Sequence, residues 1–328
     1  MLWVGIDEAG YGPNLGPLVM TAVVAEGPDE RPPDVWVDLA ASVCRAGEPG
    51  TRLWVDDSKQ VYLGRDGRRR LDAACLAVIA ALGRGGLSTF GGLLAAVGAG
   101  TLDDVELSPW VDSDPLLFES PTQESYPSPL AGEGRVGGGF LSPGNPFTGA
   151  HWRIIDVRSI LVGPARFNAG LTTSGSKAVV HFRAFAQLIE HIWNHVDEHT
   201  SATVASDKHG GRHYYAASLA DALPDVWVEP GVEGPELSCY TIRQGHRRLD
   251  LSLRPRADAG DGLVALASLV SKSLRERWMD AFNAHWSALL PGLKPTAGYP
   301  LDAARFRRAI EGHCQERGLE PSMWWRSK

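Results

Sequence analysis

The run Gly5-Ile6-Asp7-Glu8-Ala9-Gly10-Tyr11-Gly12-Pro13, continued by Leu15-Gly16-Pro17-Leu18-Val19, sets two adjacent acids at the end of a short apolar segment. Closely spaced glycines follow the acids directly, and a second apolar segment, 18–24, follows the glycines. Residues 2–6 and 18–24 are predicted as two strands of one sheet. Asp7 then lies on or at the end of a strand, where a rigid scaffold can hold a carboxylate against a metal. Glycines at 10, 12 and 16 allow the backbone close to a ligand, because no Cβ intervenes. A hard divalent cation takes oxygen ligands, and a nucleic-acid backbone takes exposed amides. An isolated acid pair beside a glycine is most often an ordinary surface turn, so its weight depends on what else the chain carries.

The chain of 328 residues, 44% apolar with eleven tryptophans, can build one large domain or two modest ones. Its net charge of −7 gives no global basic footprint for nucleic acid. A metal-dependent nuclease, however, carries carboxylates in its site and binds through local patches. Cys44, Cys75, Cys239 and Cys314 form no Cys-x-x-Cys pair and are read as reduced thiols of a cytosolic protein. No basic region precedes a long apolar run at the start, so no signal peptide is expected. The longest apolar stretch, around 73–82, is too short to span a bilayer and stops at Arg84. A soluble, cytoplasmic, monomeric protein is the expectation.

Strand patterns occur at 2–6, 18–25, 34–39, 202–205, 225–229, 238–243 and 248–253. Helical patterns occupy 66–83, 86–98, 178–197, 212–222, 262–290 and 301–317. Early consecutive strands followed by alternating helices and strands imply a mixed α/β sheet. The span 119–145, with Tyr-Pro-Ser-Pro, a Gly-Gly-Gly run and Ser-Pro-Gly-Asn-Pro, has few groups to bury and is predicted as a flexible insertion. It divides a catalytic domain into parts 1–118 and 146–290, with a C-terminal helical segment over 291–328.

Four further pieces bear on chemistry. Val55-Asp56-Asp57-Ser58-Lys59 offers a lysine and a hydroxyl at a strand-to-helix junction, which suits a phosphate; alone it is a common capped helix start. Thr203-Val204-Ala205-Ser206-Asp207 is a β-branched run ending in an acid, a favourable place for chemistry in α/β folds. His209 and His213 share metal-like spacing but, without other ligands, are read as solvated surface. Arg256-Ala257-Asp258-Ala259-Gly260-Asp261-Gly262 feeds a helix of small apolar residues, and its acids are equally readable as site residues or as helix-start acids. Gly298-Tyr299-Pro300 joins two helices and presents a ring that could stack on a sugar or base.

Together and in this order, these pieces resemble ribonuclease HII. The family opens with Gly-x-Asp-Glu-x-Gly-Arg-Gly-x-x-x-Gly-Pro, matched by residues 5–17, and its Asp-Ser-Lys motif falls on Asp57, Ser58 and Lys59. Its third acid falls on Asp207. Its fourth precedes a helix like that from Leu266 to Glu276, and a gapless placement of Ser268 and Lys272 puts that acid on Asp258 and not on Asp261. The family's Lys-Gly-Tyr turn resembles Ala297-Gly298-Tyr299. Departures are Tyr11 in place of arginine, Asp56 in place of a common asparagine, Ser-Asp-Lys in place of Asp-Gly at 206–208, and extra length in the middle.

The resemblance implies a ribonuclease H-like α/β fold, a mixed sheet flanked by helices with a C-terminal helical extension. It further implies a metal-dependent endoribonuclease that cuts the RNA strand of RNA–DNA hybrids, or at ribonucleotides embedded in duplex DNA, leaving 5′-phosphate and 3′-hydroxyl. Asp7, Glu8, Asp207 and Asp258 would be the catalytic, metal-binding set for Mg²⁺ or Mn²⁺, with two ions about 4 Å apart. Gly10, Tyr11 and Gly12 would meet the ribose 2′-hydroxyl, Ser58, Lys59, Ser268 and Lys272 the phosphates, and Tyr299 would stack at the RNA–DNA junction. The alternatives are a structure-selective DNA nuclease of the same fold and a non-catalytic nucleic-acid-binding module.

Overall fold

The computed structural model describes residues 1–117 and 145–327. In chain order these form β1 (Leu2–Ala9), β2 (Leu18–Glu26), α1 (Val35–Asp38), β3 (Val43–Cys44), β4 (Leu53–Trp54), α2 (Ser58–Val61), α3 (Gly67–Ala81) and α4 (Phe90–Ala96). There follow β5 (Arg153–Val162), α5 (Pro164–Ser174), α6 (Lys177–Trp193), β6 (Ala202–Asp207), α7 (Ala216–Ala222), β7 (Trp227–Glu233), β8 (Ser238–Gln244), β9 (Arg247–Arg254), α8 (Gly262–Leu289) and α9 (Pro300–Glu316).

Seven strands make one sheet in the order β5-β2-β1-β6-β9-β8-β7. β5, β2 and β1 run as an antiparallel meander, β1, β6 and β9 are mutually parallel neighbours, and β8 and β7 return antiparallel. This is the mixed, helix-flanked α/β sheet expected from the sequence. β3 and β4 pair in a separate two-stranded ladder.

Each sheet face has its own core. Leu2, Val4 and Ile6 alternate onto the face covered by α6 and α7, beside Phe185, Ile189 and Tyr215. The opposite face is covered by α8, where Trp278, Phe282 and Trp286 are fully buried with residues of α3, α4 and α9. Gly5 is what lets α8 approach: a Cβ there would run into the backbone of Leu263 and Val264. The first turn of α8 therefore lies directly against β1, near its acids.

Three elements differ from the sequence expectation. The 34–39 segment is not a strand: Asp34 caps α1, accepting from the amides of Trp36 and Val37, and the cap outweighs the β-like alternation of Val35-Trp36-Val37. β5 had no predicted counterpart, since a bulge opposite Val24 and Ala25 breaks its alternation. α5 was likewise not expected; it begins with Pro164 at its first turn and ends on Gly175 in the left-handed conformation. The predicted helices over 86–98 and 212–222 shorten to Phe90–Ala96 and Ala216–Ala222. The predicted insertion, 119–145, lies outside the described residues except for Asn145. Among the described residues no helix is long and apolar enough to cross a membrane.

Candidate functional site

The three parallel strands carry acids to one end of the sheet. Ile6 on β1 pairs with Ser206 on β6, so Asp7 and Asp207 follow side by side at adjacent carboxyl ends. Asp207 in turn pairs with Arg254, the last residue of β9, and the chain passes from there through a short 3-10 turn, Ala257–Ala259, that bears Asp258. The Asp207 carboxylate accepts from the Ala257 amide at 3.3 Å, tying that turn to β6. Carboxyl ends of parallel strands are where open α/β sheets place their ligands.

These acids are crowded and poorly neutralised. Asp7 is buried, and burial first, then the charges of Glu8 and Asp207, hold its carboxyl well above the usual carboxylate range. A hydrogen bond from Ser268 works against that rise. Burial also raises Asp207, with Glu8 adding to it. Asp258 is pushed up to about 6 by burial, Asp57 and Asp207, with only partial relief from Lys59. Among the described residues no trio of these four acids brings one oxygen from each within 4.8 Å, so they are set more widely than a one-ion cage. An all-oxygen, net negative and partly desolvated set of this kind suits hard divalent cations.

Asp258 and Asp261, inseparable by residue type, are held differently. The Asp261 carboxylate caps α8, accepting from the amides of Leu263 at 2.9 Å and Val264 at 3.1 Å. Asp258 makes no such cap and faces the other acids. Glu8, one residue on from Asp7 and so turned to the other sheet face, meets the α6 side, with His181 Nε2 3.5 Å from its Oε1.

Beyond β1 the glycine loop is clamped by two buried guanidinium groups. Arg326 donates to the carbonyls of Gly10 at 2.6 Å and Tyr11 at 2.8 Å, and more weakly to Gly16 at 3.4 Å. Its own backbone exchanges bonds with Asn14, and its guanidinium lies 4.3 Å from the Phe167 ring. Arg275 donates to the carbonyls of Leu15 and Ala297 at 3.2 and 2.9 Å. Burial and the charge of Arg275 press Arg326 down to about 9, which still leaves it cationic at neutral pH. Gly10 has φ +86°, and a Cβ there would strike the Pro17 carbonyl and the Arg275 side chain. With the carbonyls turned inward, no acceptor is found among the described residues for the amides of Tyr11 and Gly12. Gly12 is exposed and uncrowded.

The other sequence-predicted residues surround this loop and the acids. The Ser268 hydroxyl is buried between Asp7 and Ser58, 3.1 Å from Ser58 Oγ, and its single proton serves one of the two. Lys59 is exposed at the start of α2, where Asp57 accepts from its amide at 2.8 Å. Lys272 lies 3.6 Å from Glu276 and 4.6 Å from the Tyr62 ring centroid. Tyr299 is exposed, and the neighbouring Gly298 carbonyl accepts from the amides of Asn14 and Leu15, which joins its turn to the glycine loop.

No family model and no curated protein sequence matches the chain. Solved structures are similar to it at a distance. One is a ribonuclease HII from Archaeoglobus fulgidus, in its complex with PCNA, at 15% identity and TM-score 0.47, covering 100% of this chain and 95% of that one. Another is ribonuclease H2 from Pyrococcus horikoshii OT3, at 16% identity and TM-score 0.46, covering 99% and 92%. Bst ribonuclease HIII in complex with Mn²⁺ shares 17% identity at TM-score 0.43, over 99% of this chain and 66% of that one. Likenesses this distant carry no functional weight.

Sequence reasoning missed the histidines and the clamp. His209 is not solvated surface: it is buried, its ring packed edge-on against His181, Phe185 and Tyr215, and burial drives it well below its ordinary pKa. His181 is buried between His209 and Tyr11, whose ring centroid is 4.7 Å away. Tyr11 thus reaches inward, with Lys177 Nζ 5.1 Å from its ring. The only sequence signal for these contacts was the apolar neighbourhood of His181 within α6. Arg326 gave none, being 316 positions from the carbonyl it holds.

Proposed function

We propose that this protein is a metal-dependent endonuclease that cuts RNA within RNA–DNA hybrids or at ribonucleotides embedded in duplex DNA, leaving 5′-phosphate and 3′-hydroxyl. The observation that carries the reading is the delivery of Asp7, Asp207 and Asp258 to the carboxyl ends of β1, β6 and β9, beside a glycine loop with inward carbonyls.

Asp7, Glu8, Asp207 and Asp258 are the residues that would hold Mg²⁺ or Mn²⁺. The raised Asp7 and Asp258 carboxyls are the physical sign of fit: they are acids whose charge the protein leaves uncompensated. Such ions, when bound, supply an activated water and charge relief at the scissile phosphate. Ser268 keeps the Asp7 carboxylate oriented, and the Ala257 amide does the same for Asp207. The Tyr11 and Gly12 amides, with Gly10 between the clamp and the strand, would receive the ribose 2′-hydroxyl, the group that distinguishes RNA from DNA. Lys59 and Lys272 would meet phosphates as point charges, and Tyr299 would stack on a base or sugar at the junction.

Three duplexes of one sequence test this: all-DNA, DNA with a single ribonucleotide, and a continuous RNA–DNA hybrid, each with Mg²⁺ or Mn²⁺. Incision at ribose, with negligible cutting of all-DNA, is expected, because a site built around a hydroxyl leaves polar groups unpaired when it is missing. Equal cutting of all three would reject the reading in favour of a structure-selective DNA nuclease. Binding without cutting would make the chain a nucleic-acid-binding module.

A further inference from the structure

Away from the strand-end acids, Asp156 on β5 meets His191 and His195 at the end of α6. Asp156 pairs with Val24, which pairs with Val4; Asp7 connects through Thr21 to Ser159. Asp156 thus sits two strands over and three positions back from Asp7, roughly 10 Å away along the strand direction alone. One ligand atom from each lies within 4.8 Å of the other two. We propose that Asp156, His191 and His195 form a separate site for a borderline divalent transition ion, such as Zn²⁺ or Co²⁺.

The donor set is the first reason. Two imidazoles and one carboxylate suit such ions, whereas Mg²⁺ takes oxygen ligands almost alone. The ring tautomer is the second. His195 Nδ1 lies 2.8 Å from the His191 carbonyl, which fixes its proton on Nδ1 and leaves Nε2 as a bare lone pair. Metal-ligating histidines are commonly held in this way, by a carbonyl on the ring nitrogen that faces away from the ion. The backbone supplies the third. The β5 register skips Ile155 at the bulge, so Ile155 packs towards the α6 side and the next residue, Asp156, also meets α6 through His191. Bulges re-aim side chains in this manner.

His191 Nε2 lies 2.7 Å from Asp156 Oδ2, where a proton occupies the place the ion would take. Burial would raise the Asp156 carboxyl, but the His191 hydrogen bond and charge, with Arg84, hold it below the usual range and keep it anionic. Besides His191, Arg84 faces it: its Nη2 is 3.9 Å from Oδ1, while its other arm donates to the Ala96 carbonyl. Among the described residues Oδ2 is thus engaged by His191 alone, and a bound ion would take the place of the proton between them. His195 is exposed, so its ring can close the remaining gap, and three protein ligands leave a fourth position open to water.

The test is titration of the full chain with Co²⁺, read by visible absorption, and with Zn²⁺, read by calorimetry. One tight equivalent is expected, with the intense absorption of a four-coordinate nitrogen–oxygen site. His195→Gln and Asp156→Asn should each weaken it at least tenfold, whereas Asp7→Asn should not. His195→Gln, at an exposed position, should retain the parent melting temperature without metal and the parent Mg²⁺-dependent cleavage. No binding at micromolar Co²⁺ or Zn²⁺, or binding that survives both substitutions and disappears in Asp7→Asn, overturns the proposal. Neither result bears on ribose cleavage, which is read separately with Mg²⁺.

Discussion

The acids at the strand ends and the glycine loop that follows them are neighbours held in opposite ways. The acids are short of positive charge: Asp7, Asp207 and Asp258 all sit above their ordinary range because burial and neighbouring carboxylates act on them together. The loop has its cations already, in Arg275 and Arg326, whose donors meet its carbonyls. One region is complete only when something positive arrives from outside. The other is complete as folded and offers amides. If the chain cuts RNA as proposed, a substrate phosphate with its metal would belong to the first region, and a sugar hydroxyl to the second.

The largest effect that can break this contrast is at Asp258. Asp258→Asn should cut cleavage at a ribonucleotide by roughly 1,000-fold or more, about 4 kcal/mol in the barrier. Asp261→Asn should leave most activity, since asparagine also caps helices well. Single-turnover assays on both variants decide it, and the reverse ranking would move the acid set onto Asp261.

The loop should respond differently. Arg326→Met leaves the Gly10 and Tyr11 carbonyls without their donors, at a cost of about 1–3 kcal/mol for each unsatisfied buried group. The expected outcome is a lower melting temperature and at least a tenfold loss of preference for ribose over all-DNA, while Mg²⁺ or Mn²⁺ still stabilises the fold. If Arg326→Met instead removes metal stabilisation, the two regions are one unit and the contrast fails.

The smallest effect is in pH. The folded Asp258 carboxyl, at about 6, lies above its unfolded value, so its ionisation opposes folding. Metal-free stability from this group is therefore present at low pH and declines as pH rises from about 4 to about 6. Asp258→Asn should remove that decline, gaining about 1 kcal/mol over the parent at pH 7.5 without metal, after discounting for the water that reaches a half-buried group. Urea unfolding at pH 4 and 7.5, with and without Mg²⁺, measures it; saturating Mg²⁺ should reverse the difference. A gap between variant and parent that does not change with pH would mean that Asp258 is not strained in the folded protein.

The positions of Asp7 and Asp207 could be anticipated because each ends a β-branched or apolar run, and period-two patterning marks strand ends clearly. Asp258 and Asp261 could not be separated from the residues alone, since both precede the same helix; only the capping bonds of Asp261 distinguish them. β5 escaped because its bulge places charged and apolar residues out of alternation. Four-residue α1 reads as a strand from Val35, Trp36 and Val37, but folds as a helix because the Asp34 cap carries more weight than those side chains. The clamp and the buried histidines depend on contacts between distant segments, which no local pattern encodes.

The Arg326 clamp also sets an order of events during synthesis. A ribosome makes β1 and its acids more than three hundred residues before the guanidinium that shapes the adjoining loop. Non-local contacts of such span form late in folding. Until residue 326 has emerged, Gly10 and Tyr11 lack the donor that turns their carbonyls inward. A nascent chain therefore carries its acids early but gains the shaped loop, and with it whatever that loop binds, only when synthesis has reached that arginine.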